Sequence, residues 1–168
     1  MALNLYIVNS MNDNTHKESE INSAQLDQFR DLMISLMRCC QERNQYQCER
    51  FELPDAELRC LLQFEDEHYL TPKTIALRMN IAKSRVTRIV DGLRQKSLVK
   101  RSSDPEDSRI SLLSLTPKGK QQLEEIVDFM AETHRSVLEQ FSQEQRQTLI
   151  NSLGSLKLSM EAIKERMI

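Results

Sequence analysis

Tryptophan is absent from this chain, and only 3 Gly and 4 Pro occur in 168 residues, with aromatic residues at 5%. A sheet-rich domain needs turn residues at short intervals, so their scarcity argues against one. The abundant Leu, Glu, Gln, Lys and Met favour helices instead. So little glycine also leaves no glycine-rich loop to cradle a phosphate. Histidine is limited to His16, His68 and His134, and no nucleophile motif is present, so no catalytic constellation is expected and the chain reads as a non-enzyme. No run approaches the roughly 20 apolar residues of a membrane span. The apolar stretch from Ala2 to Val8 is short, interrupted by Asn4 and not preceded by basic residues, which makes it a poor signal peptide; a cytoplasmic protein without a membrane partner is the expectation. Four cysteines, Cys39, Cys40, Cys48 and Cys60, show no CxxC spacing and lie within helical patterns. They point to reduced thiols rather than a zinc ribbon or a disulfide scaffold. No cofactor and no metal are expected, and His134, on an apolar stripe, fits a packed interface histidine better than a ligand.

What the chain does have is an uneven distribution of charge. Between Lys73 and Lys120 there are twelve basic residues against four acidic ones, although the whole chain carries a net charge of −2. A basic segment on an acidic body is the footprint of a polyanion partner, most simply DNA.

Hydrophobic spacing divides the remainder into helices. Leu26, Phe29, Met33, Leu36, Met37 and Cys40 recur at three and four residues, predicting a long amphipathic helix that ends near Cys48. Pro54 opens a second helix bearing Ala56, Leu58, Leu61, Leu62 and Phe64. Thr71-Pro72, a capping hydroxyl followed by proline, starts a short third one, and Asn80 suits a left-handed turn. The next helix spans about Lys83 to Lys96, with Val86, Ile89, Val90 and Leu93 inward and Ser84, Arg88, Asp91 and Gln95 opposite. Leu98–Ser102 and Ile110–Leu115 are expected to pair as a hairpin across the turn-forming residues 103–108, with Arg109 at its base. Thr116-Pro117 starts a further helix, and a last one carries Leu149, Ile150, Leu153, Leu156, Met160, Ile163 and Met167. The long helices offer more apolar surface than one small core needs, which predicts a dimer.

Four blocks then coincide in order and spacing: Ser84-Arg85-Val86-Thr87-Arg88-Ile89-Val90-Asp91-Gly92-Leu93, Leu98-Val99-Lys100-Arg101, Asp104-Pro105-Glu106-Asp107-Ser108-Arg109, and Leu115-Thr116-Pro117-Lys118-Gly119. Together they resemble the MarR family of bacterial transcription regulators, closely over residues 83–119 and loosely over roughly 22–165. The resemblance implies a mainly α fold with a small β-hairpin wing, a winged helix-turn-helix flanked by long N- and C-terminal dimerisation helices. Residues 1–22, polar after the first few, read as a flexible tail, and the resemblance implies a MarR-type domain over 23–168. Within that domain a DNA-binding lobe would occupy about 53–116, and dimerisation helices about 23–48 and 117–167. It further implies that Lys83, Ser84, Arg85, Thr87 and Arg88 contact DNA from the recognition helix, that Arg109 is the wing arginine, and that Asp107 braces it. Three positions depart from the family pattern. Ala82 lacks the usual capping hydroxyl, worth about 1 kcal/mol; Gly92 sits in a helix interior at a cost of about 1 kcal/mol relative to alanine; Ser97 replaces a glycine where positive φ is expected.

The functional expectation is a homodimeric repressor on a pseudo-palindromic double-stranded DNA operator, released by a small-molecule or oxidant signal. Met33, Met37, Leu61 and Phe64 are the candidate effector pocket, for which core packing is the simpler account. Cys39 and Cys40 are the candidate redox residues, set against the commoner behaviour of cysteine as a small hydrophobe. The alternative is a winged-helix interaction or adaptor module without specific DNA binding.

Overall fold

A computed structural model describes residues 21–167. The expected tail over 1–22 lies almost wholly outside the described residues. The chain divides into two compact units, one ending at Arg43 and one beginning at Asn44. Each is described on its own terms. The division falls inside the first helix, α1 (Ser23–Arg50), which is longer at both ends than its apolar periodicity predicts.

Up to Arg43, α1 leaves its large apolar side chains in solvent: Leu26, Phe29, Leu32, Leu36 and Met37 are each about half exposed. Arg30 pairs with Asp27 at 2.9 Å and Asp31 at 3.1 Å on this segment. Met33 is half-buried.

From Asn44 onward the architecture is a winged helix-turn-helix followed by two long helices. The order is α2 (Asp55–Leu61) with a 3-10 turn at Leu62–Phe64, α3 (Pro72–Met79), α4 (Lys83–Gln95), β1 (Val99–Ser103), β2 (Ser111–Leu115), α5 (Pro117–Leu138) and α6 (Gln143–Glu165). Local chemistry sets the starts of these elements. Thr71 Oγ1 accepts from the Thr74 amide at 3.0 Å with Pro72 behind it, and Thr116 Oγ1 accepts from Gly119 N at 3.0 Å with Pro117 behind it. Ser142 and Gln145 form a reciprocal capping box at the head of α6. Pro54 stands one residue earlier than a first-turn proline, as the residue before α2, and offers no side-chain cap.

Three helices end alike. Leu53 N donates to Cys48 O, Ile81 N to Ala76 O and Leu98 N to Leu93 O, at 2.9–3.0 Å. The residue before each donor takes positive φ: Glu52 at 53°, Asn80 at 52° and Ser97 at 62°. This is the Schellman closure made without glycine, which costs roughly 1 kcal/mol or more at each non-glycine position. The apolar residue that follows is the compensation: Leu53 and Leu98 are buried and Ile81 is half-buried against the core.

β1 and β2 pair antiparallel from Val99↔Leu115 to Ser103↔Ser111, so each strand starts one residue later than predicted. An element the spacing does not announce adds to them: Leu70 bridges Leu113 through two backbone bonds of 2.9 and 2.8 Å. The core lies where α2, α3, α4 and the hairpin meet the first half of α5. Leu58, Leu61, Ile75, Val86, Val90, Leu93, Leu113 and Ile126 are at most 2% exposed there. Each contributes about 1.5–3 kcal/mol of burial. Gln122 Nε2 donates to Phe51 O at 2.9 Å, and Phe129 meets the rings of Tyr46 and Phe51 at 5.9 and 5.8 Å, fastening α5 to the end of α1. α6, by contrast, buries no residue.

Candidate functional site

The first two turns of α4 present Lys83, Ser84, Arg85, Thr87 and Arg88 to solvent, while Val86, Ile89 and Val90 turn into the core. Among the ion pairs of the described residues, none involves Lys83, Arg85 or Arg88, whereas Arg94 further along meets Asp91 at 3.4 Å. Thr87 Oγ1 donates to Lys83 O at 3.3 Å and stays on the exposed face. Ala82 supplies no side-chain cap, so the amides opening α4 are left without one. The positive charge of this helix end is therefore offset by no carboxylate partner and reinforced by the helix dipole.

Arg109 is not at the base of the hairpin, as its sequence position suggested. It lies in the loop that joins β1 to β2, at the wing tip, and its side chain is 93% exposed. The loop is longer than a tight turn and is organised by carboxylates. Asp104 Oδ1 accepts from Glu106 N at 2.8 Å, and the backbones of Asp104 and Ile110 close across it at 2.9 Å. Asp107 Oδ1 accepts from Arg109 N at 3.0 Å and stands 3.7 Å from Arg109 Nε. Asp107 thus fixes the backbone that launches Arg109 more firmly than the guanidinium itself, which remains free to reach outward. Arg101 and Lys100 on β1 and Lys73 in the first turn of α3 are exposed as well. They extend the basic surface beyond the residues picked out by motif, and the local charge excess was the signal for them.

Two close approaches hold these parts in place. A Cβ on Gly92 would come within 2.1 Å of Glu57 Oε1, so the glycine in α4 makes room for a carboxylate from α2. That carboxylate pairs with Lys96 at 3.1 Å, and Lys96 Nζ also donates to Glu52 O at 3.1 Å. Gly92 is therefore not simply a helix-weakening departure; it seats the contact that fixes α4 against α2. A Cβ on Gly119 would meet Leu98 O at 2.0 Å, and Thr116 Oγ1 donates to Ser97 O at 2.6 Å, so α5 begins in direct backbone contact with the foot of the wing.

The other candidates separate. Leu61 is fully buried in the core. Phe64, 3% exposed, lines a cavity of about 970 Å³ between residues 65–69, the foot of the hairpin and the first half of α5. Met33 and Met37 belong to the unit ending at Arg43, Met37 being 55% exposed. Cys39 and Cys40 are exposed free thiols, Cys48 is half-buried and Cys60 is buried. Burial, followed by the nearby Glu57 charge, pushes the Cys60 thiol up to about 12. Burial, then Asp55 and Glu49, raises Cys48. Among the described residues no group of three His, Cys, Asp or Glu is arranged to hold a metal ion, and no helix is long and apolar enough to cross a membrane.

Comparison with known proteins converges on this segment. A family model described as MarR family matches residues 51–110. The chain is 27% identical over 140 residues to the HTH-type transcriptional repressor YetL of Bacillus subtilis, covering 80% of this chain and 84% of that one. The structure of a MarR family protein from Bacillus stearothermophilus superposes with a TM-score of 0.73 at 22% identity, covering 83% of this chain and 98% of the other. The crystal structure of a MepR–DNA complex from S. aureus gives a TM-score of 0.64 at 20% identity, over 78% and 98%. Across the winged helix, residues 51–110, the chain is similar in sequence to the MarR family, and it shares the fold of MarR family structures.

Proposed function

We propose that this protein is a homodimeric, cytoplasmic DNA-binding repressor that holds a pseudo-palindromic operator and releases it when an effector binds. The observation that carries this reading is the uncompensated positive surface at the start of α4, where Lys83, Arg85 and Arg88 have no ion-pair partner among the described residues, together with the 93% exposed Arg109 on the wing. DNA recognition needs phosphate neutralisation for affinity and groove contacts for discrimination. The α4 end supplies both kinds of group, and a bidentate arginine on guanine is worth about 1–3 kcal/mol of discrimination. Arg109, projected from a narrow loop with its backbone set by Asp107, suits a minor groove whose negative potential attracts arginine. The MepR complex, which shares the fold, was solved on DNA, and YetL is described as a repressor; both support the same reading.

Dimerisation follows from the exposed apolar stripes of α1 and α6, and with it two recognition helices about 34 Å apart, one turn of B-DNA. The test is fluorescence anisotropy on a promoter fragment from the protein's own locus across a salt series. Arg88→Ala and Arg109→Ala are each expected to weaken binding about tenfold and to make it less salt-sensitive while the protein stays dimeric. Full activity of both variants, or no affinity for any DNA at low salt, would replace this reading with a protein-binding winged helix.

A further inference from the structure

The basic run between Lys73 and Lys120 does not act as one surface. Lys96 and Lys118 belong to it by sequence, yet the ammonium of each bonds within the protein. Lys96 Nζ stands 3.1 Å from Glu57 Oε2 and donates to Glu52 O at 3.1 Å. Lys118 Nζ donates to Lys96 O at 3.0 Å. Lys96 follows the last residue of the 13-residue α4, so roughly 20 Å of helix separates it from Lys83 at the exposed basic end.

Three other helices converge on this point. Glu52 closes α1 with a φ of 53°, Glu57 lies in the first turn of α2, and Lys118 lies in the first turn of α5. All three meet the C-terminal end of α4 through the side chain or the carbonyl of Lys96. The last carbonyls of a helix carry partial negative charge, which a cation such as the Lys118 ammonium relieves. Glu57 Oε2 is buried, accepts no well-formed hydrogen bond, and has the Lys96 ammonium as its counter-charge. A buried carboxylate stripped of that counter-charge is strongly disfavoured, which holds the pair in one arrangement. Val86, Ile89, Val90 and Leu93 bury the inner face of α4, but apolar burial has no direction of its own. The ion pair and the two directed hydrogen bonds fix where the helix end sits.

We propose that Lys96 is a positioning residue for DNA recognition: it anchors the C-terminal end of α4 to α1, α2 and α5, and so sets the angle at which Lys83, Ser84, Arg85, Thr87 and Arg88 are offered to a groove. The role in recognition rests on the DNA-binding reading above; the anchoring does not. With the anchor gone the helix end can swing. Base contacts, which need hydrogen-bond geometry, then weaken, whereas attraction to phosphates scarcely changes.

Operator and random-sequence duplexes titrated across a salt series with wild type, Lys96→Met and Lys83→Met test the proposal. Lys96→Met is expected to bind operator about tenfold more weakly and random DNA within about twofold of wild type, with the wild-type salt dependence, whereas Lys83→Met lowers the salt slope by about one ion. A slope lowered by about one ion in Lys96→Met would make this lysine a phosphate contact and overturn the proposal, as would unchanged operator affinity. Because Lys96→Met strands the Glu57 carboxylate, Lys96→Met combined with Glu57→Gln is the second variant. It is expected to recover the wild-type melting temperature while operator affinity stays low; recovery of both would reduce Lys96 to a stabilising part and overturn the proposal. Hydrogen exchange on the DNA-free proteins reads the anchor directly. The amides of Lys96, Ser97 and Leu98, bonded to the carbonyls of Gly92, Arg94 and Leu93, are expected to exchange about tenfold faster in both Lys96 variants, with those of Asn80 and Ile81 unchanged. Wild-type exchange rates at all five would overturn the anchor itself. If wild type binds no DNA under any condition, the DNA-binding reading fails and the recognition role falls with it, while the exchange rates still decide whether Lys96 holds the helix.

Discussion

Cys60 sits in the last turn of α2, fully buried, with its thiol pushed up to about 12 by burial and then by Glu57. Against an ordinary value of 9.0, the folded protein holds this proton more tightly than the unfolded chain does. The stabilisation from keeping the thiol neutral is therefore complete below about pH 9 and is lost as pH climbs from 9 toward 12. Cys60→Ala should be less stable at pH 8 by about 1 kcal/mol, from the lost packing. Its deficit should then shrink between pH 8 and 10.5, because wild type alone carries this alkaline penalty. Urea denaturation at the two pH values measures the gap; a gap that stays constant contradicts the assignment. The same burial makes Cys60 a poor redox residue, since the thiolate is the reactive form. The adjacent Cys39 and Cys40 are the exposed thiols, and an oxidant in solution would meet them first.

Between elements, the contact of α2 with α4 turns on one missing side chain. Alanine in place of Gly92 would gain about 1 kcal/mol of helix propensity, but its Cβ would displace the Glu57 carboxylate from beside Lys96. Gly92→Ala is therefore expected to be neutral or destabilising in wild type and stabilising by about 1 kcal/mol in a Glu57→Ala background. A double-mutant cycle reads the coupling, and identical effects in both backgrounds would show that the two residues do not interact. This contact also marks the limit of what the sequence discloses. Thr71-Pro72 and Thr116-Pro117 announce their helices because a cap is made by neighbours along the chain, and α4 is readable from the spacing of Val86, Ile89, Val90 and Leu93. The positive φ of Ser97 is what the resemblance implies, since this serine stands where the family pattern has a glycine. The Glu57–Gly92 notch and the Leu70–Leu113 bridge join residues 35 and 43 positions apart, and no local pattern encodes such a meeting. The motif puts Arg109 on the wing and the spacing puts it at the base, whereas it stands at the tip, because hairpin register depends on where the strands pair and not on the turn residues alone.

At the scale of the whole molecule the question is what covers α6. It buries none of its residues, and Ile150, Leu153, Leu158, Met160 and Ile163 are each at least half exposed. Folded monomers seldom leave so continuous an apolar face in water, whereas a two-fold interface would bury it against its own copy. Leu153 and Met160, two turns apart on the stripe, are the positions to test. Leu153→Glu combined with Met160→Glu places two like charges on a face that dimerisation would desolvate, while the winged-helix core, built from residues 53–126, is untouched. The double variant should sediment as a monomer at concentrations where wild type is a dimer, with its helical circular dichroism largely retained. Its affinity for a full operator should fall by about 100-fold or more, because linking two half-site readers raises avidity by roughly 10²–10⁴. Affinity for an isolated half-site should scarcely change, since Lys83, Arg85, Arg88 and Arg109 lie outside the stripe. A variant that remains dimeric would move the interface away from α6, and one that turns monomeric yet keeps full operator affinity would show that recognition does not depend on paired wings.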